Sequence, residues 1–417
     1  MIMRGAAKKF LDVAGDWGLI VGVSVFLPWS TTITAYTIAI WVLNRIGAVD
    51  VAALRRELTK PAGGLPVLLW ALAAVGMLWA DVPWEERLAG LGGFNKLLFI
   101  PLLLARFGQS PRGMIFLYGF FASTTILLLV SWTLKLFPNL PWQGRGNGIP
   151  VKDYIIQATE FLLCAFVLLE AAIEDIRTGR QAIGFWLLLL ASIFLANIFF
   201  VATGRTELVV IPALLVIICW RHLGWKGIIG GGTLVGIVAA GLWFSSPYFH
   251  NRIIRTVDDL KNMPGNSDLT NNSMTETTLH IELLRKGLSV VEEAPIFGHG
   301  TGSIGEQFRN ATGNQAGVSD LTFVNPHNQI FGVAIQTGLV GAAILVAMWV
   351  AHLMLFRGSG LIAWIGLVIV LQNIISSVFN SHLFDFAEGW LYVFGVGVVG
   401  GMINQQKSSA QPSPVKN

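Results

Sequence analysis

The stretch Ala182–Val201 reads AIGFWLLLLASIFLANIFFV and contains no charged side chain. An α-helix needs about 20 apolar residues to cross the hydrocarbon core of a bilayer. The stretch lacks the alternation of a membrane-barrel strand, and a helix pairs its backbone groups internally in lipid. It therefore predicts a transmembrane helix.

The composition of the whole chain agrees with this stretch. Of the 417 residues, 54% are hydrophobic and 12% are charged, and the mean hydropathy is +0.64. A soluble globular domain carries about 25% charged residues. The composition excludes cytosolic enzymes, secreted disulfide scaffolds and disordered chains, and both cysteines lie in apolar runs as small hydrophobic residues.

Twelve apolar segments predict an all-α, polytopic membrane protein. The predicted spans are residues 17–29, 31–44, 65–80, 88–106, 113–136, 153–173, 182–201, 205–221, 227–245, 327–356, 359–381 and 388–404. Outside the long loop at residues 246–326, sixteen lysines and arginines fall on the side of the membrane that holds the amino terminus, and six fall on the opposite side. Because basic residues are enriched on the cytoplasmic side, this count predicts that both termini are cytoplasmic. The net charge of +4 arises at helix ends, so we expect membrane lipids and no nucleic acid as partners.

The spacing of the spans divides the chain into four regions. We expect transmembrane helices 1–9 over residues 1–245, a large loop on the side opposite the cytoplasm over residues 246–326, transmembrane helices 10–12 over residues 327–404, and a disordered cytoplasmic tail over residues 405–417. Loops as long as the one at 246–326 are usually functional.

The long loop contains one predicted amphipathic helix. Its apolar stripe consists of Ile281, Leu284, Leu288 and Val291, and Pro295 ends the run. Upstream, the pair Ser273/Glu276 has the spacing of a capping box. We expect this helix to lie on the surface of the membrane that faces away from the cytoplasm.

His327 is the first candidate for chemistry. In Val324-Asn325-Pro326-His327-Asn328-Gln329, Asn325 can cap a helix and Pro326 suits its first position, so His327 falls in the first turn. The positive end of the helix dipole disfavours imidazolium and leaves a ring able to accept a proton. A histidine that anchors a helix end at the membrane interface is the alternative interpretation.

Arginines on the same predicted face form the second group of candidates. The guanidinium fork matches phosphate oxygens in pairs. Contact with lipid headgroups also explains each arginine taken alone, so the hypothesis depends on their convergence on His327. The group comprises Arg145, Arg205, Arg252, Arg255 and Arg285.

Three ionisable residues inside predicted spans are further candidates. Lys96, Glu160 and Glu207 each carry the high cost of placing a charge in the bilayer. They are expected either to border the same cavity or to pair between helices.

Two other patterns are weak evidence for a functional site. The run Pro295–Gly302 resembles a phosphate-binding loop, but no strand precedes it, so a tight turn is expected, and its His299 receives no role. The pair Asp258-Asp259 is insufficient for a metal site, so we expect no metal and no cofactor.

Three segments of the chain resemble the O-antigen ligase family, which includes related polymerases. They are Thr203-Gly204-Arg205-Thr206, the loop segment from Leu284-Arg285 to His299-Gly300, and Pro326-His327-Asn328-Gln329 followed by Gln336–Gly341. Their order agrees with twelve spans and one large loop before span ten.

The resemblance implies a metal-independent, inverting glycosyltransferase of the C-type membrane fold in the inner membrane of a Gram-negative bacterium. Such enzymes face the periplasm and move O-antigen from undecaprenyl pyrophosphate to a sugar hydroxyl of lipid A-core. By the family's pattern, His327 is the essential histidine, Arg205 and Arg285 match the essential arginines, and Arg255 matches a further basic position. Arg145 remains a substrate-binding candidate from its predicted face.

Two alternatives remain. An O-antigen polymerase uses the same donor with a growing glycan as acceptor, but such polymerases more often have two large arginine-rich loops, and the loop around Arg145 is short. Twelve spans are also typical of secondary transporters, which commonly show repeated halves and charged residues at mid-membrane. The chain shows no such halves.

Overall fold

The computed structural model describes residues 17–18, 20–45, 49–142, 144–204, 206–245, 247–261, 276–311 and 325–410. These residues form helices and connecting loops, without a β-strand and with one isolated bridge between Gly146 and Ile149. The predicted all-α class is confirmed.

The helices of the described ranges follow a π-helical turn at Ile20–Ser24. They are α1 (Thr31–Arg45), α2 (Val51–Leu58), α3 (Pro61–Gly76), α4 (Trp84–Phe107), α5 (Gly113–Leu136), α6 (Tyr154–Arg177), α7 (Gln181–Phe200), α8 (Glu207–Leu223), α9 (Trp225–Ser245), α10 (Pro247–Lys261), α11 (Glu276–Glu293), α12 (Ile304–Ala311), α13 (Gln329–Leu355), α14 (Leu361–Ser376) and α15 (Phe386–Ser409).

The chain is a multi-pass membrane protein. Within the described ranges, α4, α5, α6, α7, α9, α13 and α15 are long and apolar enough to cross a membrane. The pair α2 and α3, bent by 85°, makes an eighth if it is one span. Helical residues occur in each of the twelve predicted intervals. The count of twelve spans stays a prediction.

The centre of the bundle is formed by α15, α14 and α6. The most apolar window of α15 is 94% buried, whereas that of α9 is 11% buried. Two buried hydrogen bonds join α14 to α6: Trp364 Nε1 donates to the carbonyl of Phe166 (2.9 Å), and Gln372 Nε2 donates to that of Thr159 (2.8 Å). The connection between α14 and α15, residues 377–385, therefore starts and ends at the core of the bundle.

Helix α13 is broken at Gly338, whose φ is 68° and ψ is −171°. The run Pro295–Gly302, here called the glycine clamp, lies against the break. The amides of His299 and Gly300 donate to the carbonyls of Ile335 (2.8 Å) and Gln336 (3.0 Å). These bonds satisfy carbonyl groups that the broken helix leaves unpaired. The predicted tight turn is therefore also a brace between the loop and α13.

The other side of the glycine clamp contacts the end of α3. The amide of Thr301 donates to the carbonyl of Gly76 (3.1 Å). Gly298, Gly300 and Gly302 all have positive φ, and a Cβ on Gly300 would lie 2.4 Å from a neighbouring Cα. Such a backbone path admits only glycine at these positions. The clamp thus ties the loop to α3 and α13.

The predicted loop helix is confirmed as α11, but its predicted apolar stripe is wrong in part. Leu283, Val290 and Val291 are buried, whereas Leu288 is 47% exposed. The buried residues pack with Phe308 of α12 and Ile335 of α13. The buried face was misplaced because α11 packs against neighbouring helices, and their positions select the arc of the helix that is covered.

Two further predictions concern where helices begin and end. Ser273 of the predicted capping box lies outside the described residues. The last helical segment is Gly400–Ala410, so the helix continues past Asn404, where the disordered tail was expected to begin. Glutamine and lysine, which occur here, are good helix formers. Residues 411–417 lie outside the described residues.

Candidate functional site

His327 lies in the short segment that leads into α13. The helix begins at Gln329, and the side chain of Asn328 caps it by accepting from the amides of Ile330 (2.9 Å) and Phe331 (3.1 Å). The predicted cap at Asn325 is therefore wrong by three residues, and His327 precedes the helix. The reason is the left-handed backbone of His327, with φ of 46°, which a right-handed helix cannot contain.

The backbone of His327 is strained. It is the one non-glycine residue with positive φ in the described ranges. The amide of His327 donates to Oδ1 of Asn325 (3.0 Å), so the asparagine side chain stabilises the turn. Such conformations cost about 1–3 kcal/mol, persist only where the surroundings enforce them, and cluster at active sites. The strain motivates a functional hypothesis for this residue.

The connection between α14 and α15 enforces the conformation of residues 325–329, here called the histidine segment. Five hydrogen bonds join the two stretches of chain. They run from Gln329 N to Ser377 O (2.9 Å), Asn328 Nδ2 to Val378 O (3.1 Å), His327 Nδ1 to Asn380 Oδ1 (3.3 Å), Ser381 Oγ to Asn325 Oδ1 (3.4 Å) and Leu383 N to Gln329 Oε1 (2.9 Å).

Asn380 determines which nitrogen of His327 carries the proton. Its Oδ1 also accepts from the amide of Ser381 (2.9 Å), so the oxygen, not the amide nitrogen, faces the histidine. A carbonyl oxygen can only accept, so Nδ1 of the ring must donate. In neutral His327 the lone pair then lies on Nε2. This is the tautomer that a general base acting through Nε2 requires.

Helix α11 covers the histidine from the loop side. The ring of His280 lies 6.4 Å from that of His327 and 6.3 Å from that of Phe379, measured between centroids. Two turns further along, a Cβ on Gly287 would lie 3.4 Å from Cβ of Pro326. The glycine therefore permits α11 to approach the histidine segment closely.

Lys96 and Glu160 each have a polar partner within the protein. Such pairing was one of the two alternatives that the sequence left open for them. Lys96 Nζ donates to the carbonyls of Phe384 (3.0 Å) and Asp385 (2.6 Å). Glu160 pairs with Lys152 at 3.3 Å, and both side chains are buried. Lys96 therefore anchors the connection that holds His327.

The end of the connection between α14 and α15, with the first turn of α15, contributes an acidic cluster next to Lys96. Nδ1 of His382 lies 3.2 Å from Oδ2 of Asp385 and 3.8 Å from Oε1 of Glu388. Burial disfavours the charged ring, but the hydrogen bond to Asp385 and the charges of Glu388, Asp385 and Glu207 raise the pKa of His382 above its ordinary value. Glu207 is itself buried, with 2% of its surface exposed.

Within the described ranges, the side chains of His382, Asp385 and Glu388 are close enough together to hold a metal ion. One ligand atom from each of His382, Asp385 and Glu388 lies within 4.8 Å of the others. Histidine and carboxylate ligands suit several divalent ions. The carboxylates already have His382 as a partner, and the Lys96 ammonium binds the backbone of Asp385. The members of the cluster therefore have polar partners within the chain.

The arginines predicted to join His327 make no described contact with it. Arg145 lies exposed in the connection between α5 and α6, and Arg255 lies exposed on α10. Arg285 has 54% of its side chain exposed and bonds Glu282 at 3.0 Å. In the described ranges, no hydrogen bond or ion pair joins these three arginines to His327.

Arg205 and the side chain of Arg252 lie outside the described residues. Arg285 follows His280 by five positions, which turns it about 140° around the axis of α11. It therefore does not share the helix face that meets His327.

Several residues of this region were not predicted. The polar run Asn380-Ser381-His382 interrupts two apolar stretches, and that interruption was a signal that could have found Asn380. His280 carried no comparable signal, because a single histidine on an amphipathic helix is common.

Residues 190–346 match the protein-family model described as O-Antigen ligase. The predicted resemblance to the O-antigen ligase family is confirmed. The O-antigen ligase match runs from α7 to α13 and includes His327, Arg205, Arg255 and Arg285, while Arg145 and Asn380 lie beyond it. No curated protein matches the chain significantly in sequence.

Proposed function

We propose that the protein is an O-antigen ligase that transfers a glycan from undecaprenyl pyrophosphate to lipid A-core, with His327 as general base. One observation carries the proposal: the O-antigen ligase match includes a histidine in a strained backbone conformation, and its Nδ1–H is held by Asn380. The family also includes polymerases, which use a different acceptor. The choice of lipid A-core as acceptor is therefore part of the proposal.

In the proposed reaction, Nε2 of His327 takes the proton from a sugar hydroxyl of the acceptor. The hydroxyl oxygen forms a bond to the anomeric carbon from the face opposite the pyrophosphate, and the bond from that carbon to the phosphate oxygen breaks. Undecaprenyl pyrophosphate leaves with the electron pair, and the anomeric configuration inverts. General-base help of this kind contributes about 10² to 10⁴ in rate.

Arginines offset the charge of the leaving pyrophosphate in this proposal. Arg205 and Arg285 are the first candidates, and Arg255 and Arg145 are further ones. The salt bridge between Arg285 and Glu282 would have to open for Arg285 to bind phosphate. The excess of lysine and arginine at the other ends of the helices supports a periplasmic position for His327 and cytoplasmic termini.

The decisive experiment mixes purified protein with undecaprenyl pyrophosphate-linked glycan and lipid A-core. A ladder of glycan joined to lipid A-core supports the ligase. Longer lipid-linked glycan with bare lipid A-core would instead identify a polymerase. Uptake of glycan into vesicles without either product would identify a transporter.

Asn380 is proposed as a positioning residue for His327. Asn380→Ala is expected to lower kcat about fivefold to tenfold with little change in KM, since one neutral hydrogen bond is worth about 1 kcal/mol. Asn380→Asp keeps an acceptor for Nδ1–H and adds negative charge, which favours the protonated ring. We expect the acid limb of its pH–rate profile to move to higher pH. An unchanged profile in Asn380→Asp would contradict the positioning role.

Transfer is expected to be insensitive to chelators. The proposed chemistry needs arginines for charge neutralisation, and the carboxylates of Asp385 and Glu388 have His382 as partner. The measurement compares transfer rates with and without EDTA. Loss of activity in EDTA and its return with a divalent ion would reject this account and would make His382, Asp385 and Glu388 the first ligands to test.

A further inference from the structure

A large cavity lies at the end of the bundle remote from His327. Its volume is about 770 Å³. The end of α13 contributes Met354 and Leu355 to its wall, whereas His327 precedes the start of the same helix. The part of α13 after its break at Gly338, residues 339–355, by itself spans roughly 25 Å at 1.5 Å per residue. The cavity is therefore separate from the candidate site.

The bend between α2 and α3 forms one wall of this cavity. The two helices meet at 85°, and residues of both line the space together with residues of α4, α13 and α15. The bend is held in place, since the carbonyl of Ala62 accepts from Nε2 of His352 (2.9 Å). Asn404 of α15 donates to Oε2 of Glu57 on α2 (3.2 Å). The space is thus a feature of helix packing.

The cavity is rich in positive charge. Four cationic side chains and one carboxylate line it, and that carboxylate, Glu57, bonds Lys60 at 2.7 Å. No ion pair in the described ranges involves the other three cations, and all three are exposed. They are Arg56, Arg357 and Lys407. The cavity therefore presents unbalanced positive charge.

Two long helices add apolar residues to the lining. Leu104 of α4 and Ala351, Met354 and Leu355 of α13 belong to it. A cavity lined by both cationic and apolar side chains matches a molecule with an anionic head and hydrocarbon chains. Basic pockets between transmembrane helices bind such lipid headgroups.

We propose that this cavity is a binding site for an anionic phospholipid. Arg56, Arg357 and Lys407 bind the phosphate of the headgroup, and the acyl chains lie along α4 and α13. The site is independent of the proposed transfer reaction, because none of its residues contacts the histidine segment. A bound lipid would fill the space between the bent pair α2/α3 and the rest of the bundle.

The test measures lipid retention by purified, full-length protein in detergent with native mass spectrometry. The probes are phosphatidylglycerol and phosphatidylcholine with the same acyl chains, and inorganic phosphate serves as competitor. We compare the wild type with Arg357→Gln/Lys407→Gln. The matched control is Arg55→Gln/Lys226→Gln, which removes two exposed cations that do not line the cavity.

We expect the wild type and the control to retain phosphatidylglycerol at least tenfold more strongly than phosphatidylcholine. The cavity variant should lose this preference by tenfold or more, because each cation near an anionic headgroup contributes about a fivefold factor. Arg56→Gln provides a second variant and should weaken retention about fivefold. Equal retention by the cavity variant and the control would overturn the proposal. So would displacement of the lipid by millimolar phosphate, since that identifies a site for a free anion.

Discussion

His327→Ala is expected to abolish glycan transfer, with a fall in rate of about 10² to 10⁴. The substitution removes the proposed proton acceptor. It changes the backbone strain at residue 327 little, because alanine is also strained in the left-handed conformation. The measurement is the initial rate of transfer to lipid A-core in vitro, together with the thermal unfolding midpoint in detergent.

The matched control for this experiment is His250→Ala. His250 lies on α10, where its ring contacts Trp243. We expect the control to keep near-normal transfer. If His327→Ala were folded and transferred glycan at a rate close to that of the control, His327 would be a structural residue and the proposed mechanism would fail.

Gly338→Ala is expected to have the largest effect on stability, with a loss of at least about 3 kcal/mol. Gly338 has φ of 68°, and a Cβ there would lie 2.0 Å from the carbonyl oxygen of Ile296. Relief of that overlap would separate the glycine clamp from α13. The measurement is the yield of monodisperse protein and its unfolding midpoint in detergent.

A helical glycine with free space around it provides the comparison. At Gly236 in α9, nothing lies within 4 Å of a built Cβ. Gly236→Ala should leave the unfolding midpoint unchanged or raise it, since alanine favours a helix by about 1 kcal/mol over glycine. Equal midpoints for the two variants would show that the clamp contributes little to the folded state.

The fold class could be predicted from the sequence because the bilayer restricts the possible structures. Apolar runs such as Ala182–Val201 can only be helices in lipid, and this needs no knowledge of neighbours. The buried face of α11 was harder. Leu288 and Val291 look alike in the sequence, but only Val291 packs against other helices.

The sequence named candidate residues for the site but not their geometry. His327 was singled out, but its position before the helix depends on φ at one residue, and hydrogen bonds from the distant segment 377–381 maintain that angle. The predicted convergence of arginines on His327 has no support in the described contacts. Exposed arginine side chains have many rotamers, and their position in the sequence does not determine where they point.

The sequence by itself determined that the chain is a helical membrane protein, where its long loop lies and which histidine to suspect. These conclusions follow from local properties, since hydropathy and motif order are carried by neighbouring residues. Only the tertiary structure decided that Asn380 hydrogen-bonds His327, that the glycine clamp closes the break at Gly338, and that cations of α2, of α15 and of the segment after α13 share one cavity. Such contacts join residues far apart in the chain, and helix packing alone brings them together.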